Sequence, residues 1–415
     1  MGVFNLNGYY TLIAATFVLL LGRYMVKKIK ALNDYNIPEP VAGGLFVALI
    51  VMIIHYVSSG EFAINVDKDF QNGLMLMFFS SIGLSADFSR LKSGGKPLLI
   101  FTFVVGAFII VQNIVGVGLA ALFGIDKLTG LVAGSITLTG GHGTALGWTE
   151  ALQSKGLENA AALGVACATF GLILGGLIGG PAARFLLKRG KVKTPGVKDD
   201  MVDDEGKAKA EPLHFERPLQ VRLITAESAI ETLALFSVCL AGQYWINQWF
   251  RDWMASIGSS FTVPAFVWAI LVGIIVRNLL THYAGVKMFD RSIDVFGNVA
   301  LSLFLAMAIM SLQFWTLAGL AIPVLIILAV QTVFMVLWAI FVTYRIMGKD
   351  YDAVVLTAGH CGFGMGATPT AVANMQAITQ KFGDSHKAFL IVPLVGAFFV
   401  DIINAVILSF FVNLV

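Results

Sequence analysis

Apolar runs recur along this sequence from one end to the other. An α-helix of about 20 apolar residues is long enough to cross the hydrocarbon core of a bilayer. Only 13% of the 415 residues are charged, whereas soluble domains carry about 25%. The runs do not alternate polar and apolar residues, as the strands of a membrane β-barrel do. We therefore expect an all-α polytopic membrane protein with ten spans, near residues 8–26, 38–57, 72–88, 97–123, 160–187, 223–243, 262–280, 293–313, 318–344 and 388–412.

The positions of the basic residues predict the orientation of these spans, because basic loops tend to stay in the cytoplasm. With the N-terminus outside, only four of the 28 Lys and Arg residues fall in external segments, namely Lys68, Lys127, Lys155 and Arg251. We therefore expect both termini on the external, periplasmic side. No basic region precedes the first apolar run and no convincing cleavage site follows it, which argues against a cleaved signal peptide.

A charged stretch at residues 188–218 separates two halves of the chain. It has no apolar periodicity, so we interpret it as a flexible cytoplasmic linker. The halves, residues 1–187 and 219–415, each contain five predicted spans and resemble each other weakly. Each half also carries a glutamine ahead of a histidine in a glycine-rich segment: Gln112 and His142, then Gln331 and His360. Because five is odd, the second half has the opposite orientation, and an inverted repeat of this kind is typical of secondary transporters.

Two further segments are too short and too rich in glycine to be spans. Residues 128–153 are interrupted by GGHGT, and residues 351–380 contain four glycines and a proline that we expect to break the helix: Gly359, Gly362, Gly364, Gly366 and Pro369. Both flanks of each segment lie on the same side, so we predict two re-entrant hairpins. They enter from opposite faces and meet tip to tip near the midplane. Non-helical backbone survives at that depth only where it is buried in protein or lines a polar cavity.

The chemistry of the two hairpins favours binding of a small anion together with a cation. The N-terminal ends of half-helices attract a carboxylate, while free carbonyls and neutral side-chain oxygens coordinate sodium. The candidate substrate-binding residues are Gly140, Gly141, His142, Gly143, Thr144, His360, Gly362, Gly364, Thr370 and Asn374. The candidate sodium ligands are Thr137, Thr139, Gly359, Cys361, Asp401 and Asn404. We expect no cofactor and no transition metal, because the three cysteines (Cys167, Cys239 and Cys361) lack metal-ligand spacing and suit reduced core positions.

Several of these polar residues also have a purely structural interpretation. His142 and His360 either donate hydrogen bonds to the anion or fill the hairpin tips and tie down backbone carbonyls. Asp401 is the only acidic residue at the centre of a predicted span. It either faces sodium or a substrate ammonium group, or it is a protonated packing residue. Gln112 and Gln331 either belong to the site or only join neighbouring helices.

At these residues the sequence resembles the bacterial glutamate:sodium symporter family. The resemblance is carried by GSITLTGGHGT, ACATFGLILGGLIGGP, GNVALSLFLAMA, AGHCGFGMGATPTAVANMQAIT and VPLVGAFFVDIINA, and it extends from Ile37 through Asn404 outside the linker. It implies ten spans, two re-entrant loops, an inner-membrane location and sodium-coupled uptake of L-glutamate. Related citrate-type carriers imply a homodimer in which transport domains move, elevator-like, against a fixed scaffold.

Other classes of membrane protein fit the sequence less well. A membrane-embedded metalloenzyme would use His142, His360 and Asp401 as ligands, but no HExxH-like neighbour accompanies them, so we expect no enzyme. Water and glycerol channels also have mirrored half-helices, but they carry paired Asn-Pro-Ala turns that are absent here. A sodium-coupled carrier for another small carboxylate or amino acid remains the main alternative. No nucleic-acid partner is expected.

Overall fold

The computed structural model describes residues 4–35, 37–58, 62–190, 192–195, 224–259, 261–286, 288–317 and 319–415. Most of the predicted linker 188–218 lies outside these described residues. The helices, numbered along the chain, are α1 (Gly8–Lys28), α2 (Lys30–Asp34), α3 (Glu39–Val57), α4 (Lys68–Ser85), α5 (Phe88–Leu122), α6 (Lys127–Leu131), α7 (Gly141–Gly147), α8 (Thr149–Ser154), α9 (Ala160–Gly190), α10 (Ala226–Ser256), α11 (Ala265–His282), α12 (Asp290–Met310), α13 (Ala321–Trp338), α14 (Tyr344–Ile346), α15 (Tyr351–Gly364), α16 (Thr368–Phe382), α17 (His386–Leu394) and α18 (Val400–Leu414).

Short irregular elements join some of these helices. π-helical turns occupy Val132–Ile136, Ala339–Thr343 and Val395–Phe399, and a 3-10 turn occupies Phe314–Leu317. Near the N-terminus, Phe4–Asn5 pairs in parallel with Ile64–Asn65. This pairing ties the start of the chain to the segment that follows α3.

Within the described ranges, eight helices are long and apolar enough to cross a membrane. They are Gly8–Lys28, Glu39–Val57, Gly95–Leu122, Ala160–Gly190, Ala226–Ser256, Ala265–His282, Asp290–Met310 and Ala321–Ile346. The prediction of an all-α, multi-pass membrane protein is therefore confirmed. The count of ten spans stays a prediction, because α4 begins with Lys68, Asp69, Gln71 and Asn72, and the tenth span is divided by the π turn Val395–Phe399.

The helices pack in two groups, each built from both halves of the chain. The panel consists of α1, α3, α4, α10, α11 and α12, in which α4 packs against α11 and α12, and α1, α3 and α12 pack against one another. The core group consists of α5 to α9 and α13 to α18, in which α9 packs against α15 and α16. Contacts between the groups include α12 against α7 and α9, and α11 against α18.

Glycines allow the closest helix crossings within the panel. A Cβ atom at Gly83 of α4 would overlap the carbonyl oxygen of Ile270, and one at Gly273 of α11 would lie 2.8 Å from the carbonyl oxygen of Ser80. Small residues at such a crossing let two membrane helices pack backbone to backbone.

Replacing Gly83 with valine should therefore destabilise the panel. We expect a lower yield of folded protein and a thermal unfolding midpoint several degrees below that of wild type, because overpacking costs about 1–3 kcal/mol. Gly73→Val on the same helix is the matched control, since a Cβ there meets nothing within 4 Å. Equal melting temperatures for the two variants in detergent would contradict this account of the crossing.

Candidate functional site

The first glycine-rich segment breaks earlier than the sequence predicts. Gly134 interrupts the helix with φ −106° and ψ −134°, inside the π turn Val132–Ile136. Residues 137–140 form a turn, and α7 restarts at Gly141, whose φ is +66°. The expected break at GGHGT is therefore wrong in part, because His142, Gly143 and Thr144 lie in the first turn of a helix. The irregular backbone lies mainly between Gly134 and Gly140.

The second glycine-rich segment breaks later than the sequence predicts. Helix α15 continues without interruption to Gly364, and the chain leaves helical geometry only at residues 365–367, before Pro369 in the first turn of α16. The prediction that Gly359, Gly362 and Gly364 break the helix is wrong. One glycine costs a helix only about 1 kcal/mol, and here its missing side chain permits close packing. A Cβ atom at Gly362 would overlap the Cα of Ala371 in α16.

The two breaks meet in space. A Cβ atom at Gly141 would lie 3.3 Å from the carbonyl oxygen of Gly366. Gln112 of α5 joins both breaks: its Oε1 accepts from Thr139 Oγ1 at 2.7 Å, and its Nε2 donates to the carbonyl of Gly364 at 3.4 Å. Gln331 of α13 donates to the backbone carbonyl of Gln112 at 2.8 Å. Both glutamines therefore lie where the two irregular segments and the two halves of the chain come together.

A cluster of buried polar side chains makes hydrogen bonds to the irregular backbone of the first break. Asn113 Oδ1 accepts from the backbone N–H of Ser135 at 3.2 Å. The Ser135 hydroxyl donates to Asn404 Oδ1 at 2.7 Å, and Asn404 Nδ2 donates to the Ser135 carbonyl at 3.0 Å. All three residues are fully buried. Asn113 satisfies the Ser135 N–H, which the break at Gly134 frees, and the cluster brings amide and hydroxyl oxygens from α5, the first break and α18 together.

The two histidines have different surroundings. His142 Nε2 lies 3.0 Å from Thr169 Oγ1 on α9, and that hydroxyl donates its own proton to the Val165 carbonyl at 2.8 Å. His142 Nε2 is therefore the donor in this pair. His360 is fully buried among Phe101, Phe108 and Phe363, and its Nδ1 lies 2.8 Å from Thr343 Oγ1. The aromatic surroundings favour a packing role for His360.

The start of α16 presents an uncapped helix N-terminus at the second break. No side chain caps its first turn, and Ala367 before it is extended. Thr370 in that turn is buried, and its Oγ1 has no hydrogen-bond partner. Asn374, one turn later, donates to the carbonyls of Gly175 at 2.8 Å and Ala358 at 3.3 Å, which ties α16 to α9 and α15. The free N–H groups and hydroxyl at this end are suited to an anion.

The remaining candidates lie at varying distances from the two breaks. Thr137 Oγ1 donates to the Val132 carbonyl at 2.7 Å, inside the first break. A Cβ at Gly143 would lie 3.1 Å from Phe78, on the side that faces the panel. Gly359 and Cys361 lie inside the regular helix α15, and a Cβ at Gly359 would meet Val392 at 2.8 Å. Both residues therefore lack the free backbone carbonyls of a helix break. Gly140 and Thr144 pack against each other at the first tip.

Asp401 lies on α18, one turn before Asn404. It is partly exposed, and its carboxylate makes no hydrogen bond or ion pair with any described residue. An intramembrane carboxylate without a partner is unusual, because its cost is normally offset by a cation or a donor.

Among the described residues, no group of three or more His, Cys, Asp or Glu side chains is arranged to hold a metal ion. The three cysteines are free and buried, as the sequence predicts.

Two residues of the buried cluster, Asn113 and Ser135, were not among the sequence candidates. Asn113 follows Gln112 in an otherwise apolar span, and two adjacent amides at that depth are a signal that sequence reasoning can use. Ser135 precedes the glycines of the first segment and gives no such signal, since serine is common at helix–helix contacts in membranes.

Replacing Asn404 with leucine should lower the stability of the fold, because it removes hydrogen bonds from this cluster. It leaves the Ser135 hydroxyl buried without its partner, at a cost of about 1–3 kcal/mol, while the Ser135 carbonyl keeps the hydrogen bond from the Gly140 N–H at 3.0 Å. We expect a lower thermal unfolding midpoint and a smaller upward shift on adding sodium. Asn413→Leu, on the same helix but partly exposed, is the control and should lose less. Equal losses for both variants would contradict the role of the cluster.

The sequence is similar to known membrane transport proteins along nearly its whole length. The sequence profile of a family described as Sodium/glutamate symporter matches residues 4–384. The chain is 53% identical over 408 residues to a protein of Haemophilus influenzae named sodium/glutamate symporter, covering 98% of this chain and 97% of that one. It is 49% identical over 413 residues to a protein of Escherichia coli strain K12 with the same name, covering 99% of each.

Proposed function

Because the chain belongs to the sodium/glutamate symporter family, we propose that it is a secondary active transporter that couples uptake of L-glutamate to the entry of sodium. The observation that carries the proposal within the molecule is the contact between Gly141 and Gly366, where two helix breaks from different halves of the chain meet. Discontinuous helices that meet in this way bind substrate and coupling ions in secondary transporters.

Glutamate binds between the two breaks in this proposal. The uncapped N-terminus of α16 and the unpartnered hydroxyl of Thr370 support a carboxylate site there. The tip residues Gly140, Gly141 and His142 face it from the first hairpin, with His142 held by Thr169. Gly362 and Asn374 support the site by packing the two arms of the second hairpin together. Gly364 packs against Met335 and Phe108, and His360 supports the site from the aromatic cluster.

Sodium binds close to the first break in this proposal. The hydroxyls of Thr137 and Thr139 and the amide oxygen of Asn404 lie there, together with Asn113 and Ser135. The unpartnered carboxylate of Asp401, one turn from Asn404, supplies the negative charge that a desolvated cation needs. Gly359 and Cys361 are left out of this set, because the backbone of α15 is regular at both residues.

Movement of the core group against the panel would expose the site to each side in turn. The division into two groups, each drawn from both halves, supports an elevator-like mechanism and an inverted repeat of residues 1–187 and 219–415. The full proposal includes ten spans, two re-entrant hairpins at 128–153 and 351–380, and external termini. It also includes a homodimer in the bacterial inner membrane.

Counterflow in proteoliposomes tests this function. Purified protein in vesicles loaded with unlabelled glutamate should accumulate labelled glutamate in sodium buffer, and not in potassium or choline buffer. Collapse of an imposed sodium gradient should abolish concentrative uptake, which a channel does not perform. Competition by unlabelled aspartate and by small dicarboxylates separates a glutamate carrier from a carrier of another carboxylate. Accumulation that is independent of sodium would overturn the proposal.

A further inference from the structure

An apolar crevice opens between the panel and the core group. It has a volume of about 320 Å³ and is lined by the end of α1, by α2 and α3, and by Thr169 and Ile173 of α9. Its other lining residues are almost all apolar: Met25, Ala31, Leu32, Tyr35, Ile37, Ala42, Leu45, Phe46 and Leu49. A small polar substrate such as an amino acid finds few partners on these walls. The crevice is therefore separate from the site between the two helix breaks.

The inner end of the crevice lies about one leaflet's depth from the N-terminus of α3. Its deepest lining residue on α3 is Leu49, about 15 Å along the helix from Glu39 at the α3 N-terminus. The hydrocarbon core of a bilayer is about 30 Å thick, so one leaflet accounts for half of it. A single acyl chain inserted from the boundary would reach the depth of Leu49.

Positive charge lies at the open end of the crevice. Lys28 is one turn after Met25 on the same face of α1, and Lys30 directly precedes the lining residue Ala31. Lys27, Lys28 and Lys30 are exposed and make no ion pair with any described residue. The nearby acids are Glu39, which pairs with Arg23 at 3.1 Å, and the exposed Asp34. Unpaired cations are therefore in excess at the open end of the apolar crevice.

We propose that this crevice binds an anionic phospholipid, with one acyl chain between α3 and α9 and the phosphate at Lys28 and Lys30. Basic residues at a membrane boundary attract anionic headgroups, and the apolar walls take the chain. The lipid then lies against Thr169, whose hydroxyl accepts the hydrogen bond from His142 at the first hairpin tip. A bound acyl chain thus contacts the core group next to its proposed substrate site.

Native mass spectrometry of the full chain in detergent, with added phosphatidylglycerol or phosphatidylcholine, tests the site. Wild type should retain phosphatidylglycerol in preference to phosphatidylcholine. The double variant Lys28→Gln, Lys30→Gln should lose that preference. The variant Ala42→Trp, whose side chain fills the crevice, should retain several-fold less of both lipids. The matched controls are Lys188→Gln with Arg189→Gln, a basic pair at the end of α9, and Ile53→Trp, on an exposed part of α3.

Three results would overturn the proposal. Equal retention by the Lys28/Lys30 and Lys188/Arg189 variants would show that general surface charge holds the lipid. Equal lipid retention by Ala42→Trp and Ile53→Trp would show that no acyl chain occupies the crevice. A loss of dimer mass in Ala42→Trp with unchanged lipid would assign the crevice to a second copy of the chain. Each readout is independent of transport, so the site is tested whatever the transported substrate is.

Discussion

Replacing Gly141 with valine should lower glutamate uptake at least tenfold while leaving most of the protein folded. Gly141 has φ +66°, and its Cβ direction points at the carbonyl of Gly366 across the gap between the two breaks. The left-handed backbone alone costs a β-branched residue about 1–2 kcal/mol, or about tenfold in an equilibrium. The new methyl groups would also fill the space that the proposed substrate needs. We therefore expect uptake in proteoliposomes to fall at least tenfold.

Gly118→Val is the control for this variant. Gly118 lies on α5, and a Cβ there meets nothing within 4 Å, so its uptake and yield should stay close to wild type. Size-exclusion profiles and melting temperatures of both variants separate a lost site from a lost fold. Normal uptake by Gly141→Val would mean that the first hairpin tip is an ordinary turn away from the substrate.

Replacing Asp401 with asparagine should weaken sodium binding strongly. The carboxylate has no partner among the described residues, and asparagine keeps its shape while removing its charge. Two unit charges 4 Å apart interact by about 4 kcal/mol at an effective dielectric constant of 20. We therefore expect the apparent sodium affinity to fall about tenfold or more, with a smaller change in glutamate affinity at saturating sodium.

Two titrations of uptake separate the roles that Asp401 can have. Sodium is varied at saturating glutamate, and glutamate is then varied at saturating sodium. A larger fall in glutamate affinity would assign the carboxylate to the substrate ammonium group. A silent variant would identify a protonated packing residue and remove Asp401 from the site. Asp69→Asn, an exposed acid in the first turn of α4, should be silent in both titrations.

The two irregular segments of the candidate site could be located from the sequence, but their geometry could not. The sequence identified both irregular segments, and it identified Thr139 and Asn404, whose hydrogen bonds tie the first segment to α5 and α18. It misplaced both breaks. Gly359, Gly362 and Gly364 look like helix breakers along the chain, yet they lie in α15. There the lack of a side chain lets α16 and α17 approach at Gly359 and Gly362, and lets Met335 and Phe108 approach at Gly364.

The sequence by itself determined the membrane class and the approximate positions of most helices, because the apolar length that a bilayer requires is a local property of the chain. Only the tertiary structure decided where each helix stops, since the about 1 kcal/mol cost of a glycine is easily outweighed by packing. It likewise decided that Ser135 meets Asn404 and that Gly141 meets Gly366. Those partners are far apart in the chain, and only the burial of helices from both halves brings their polar groups within bonding distance.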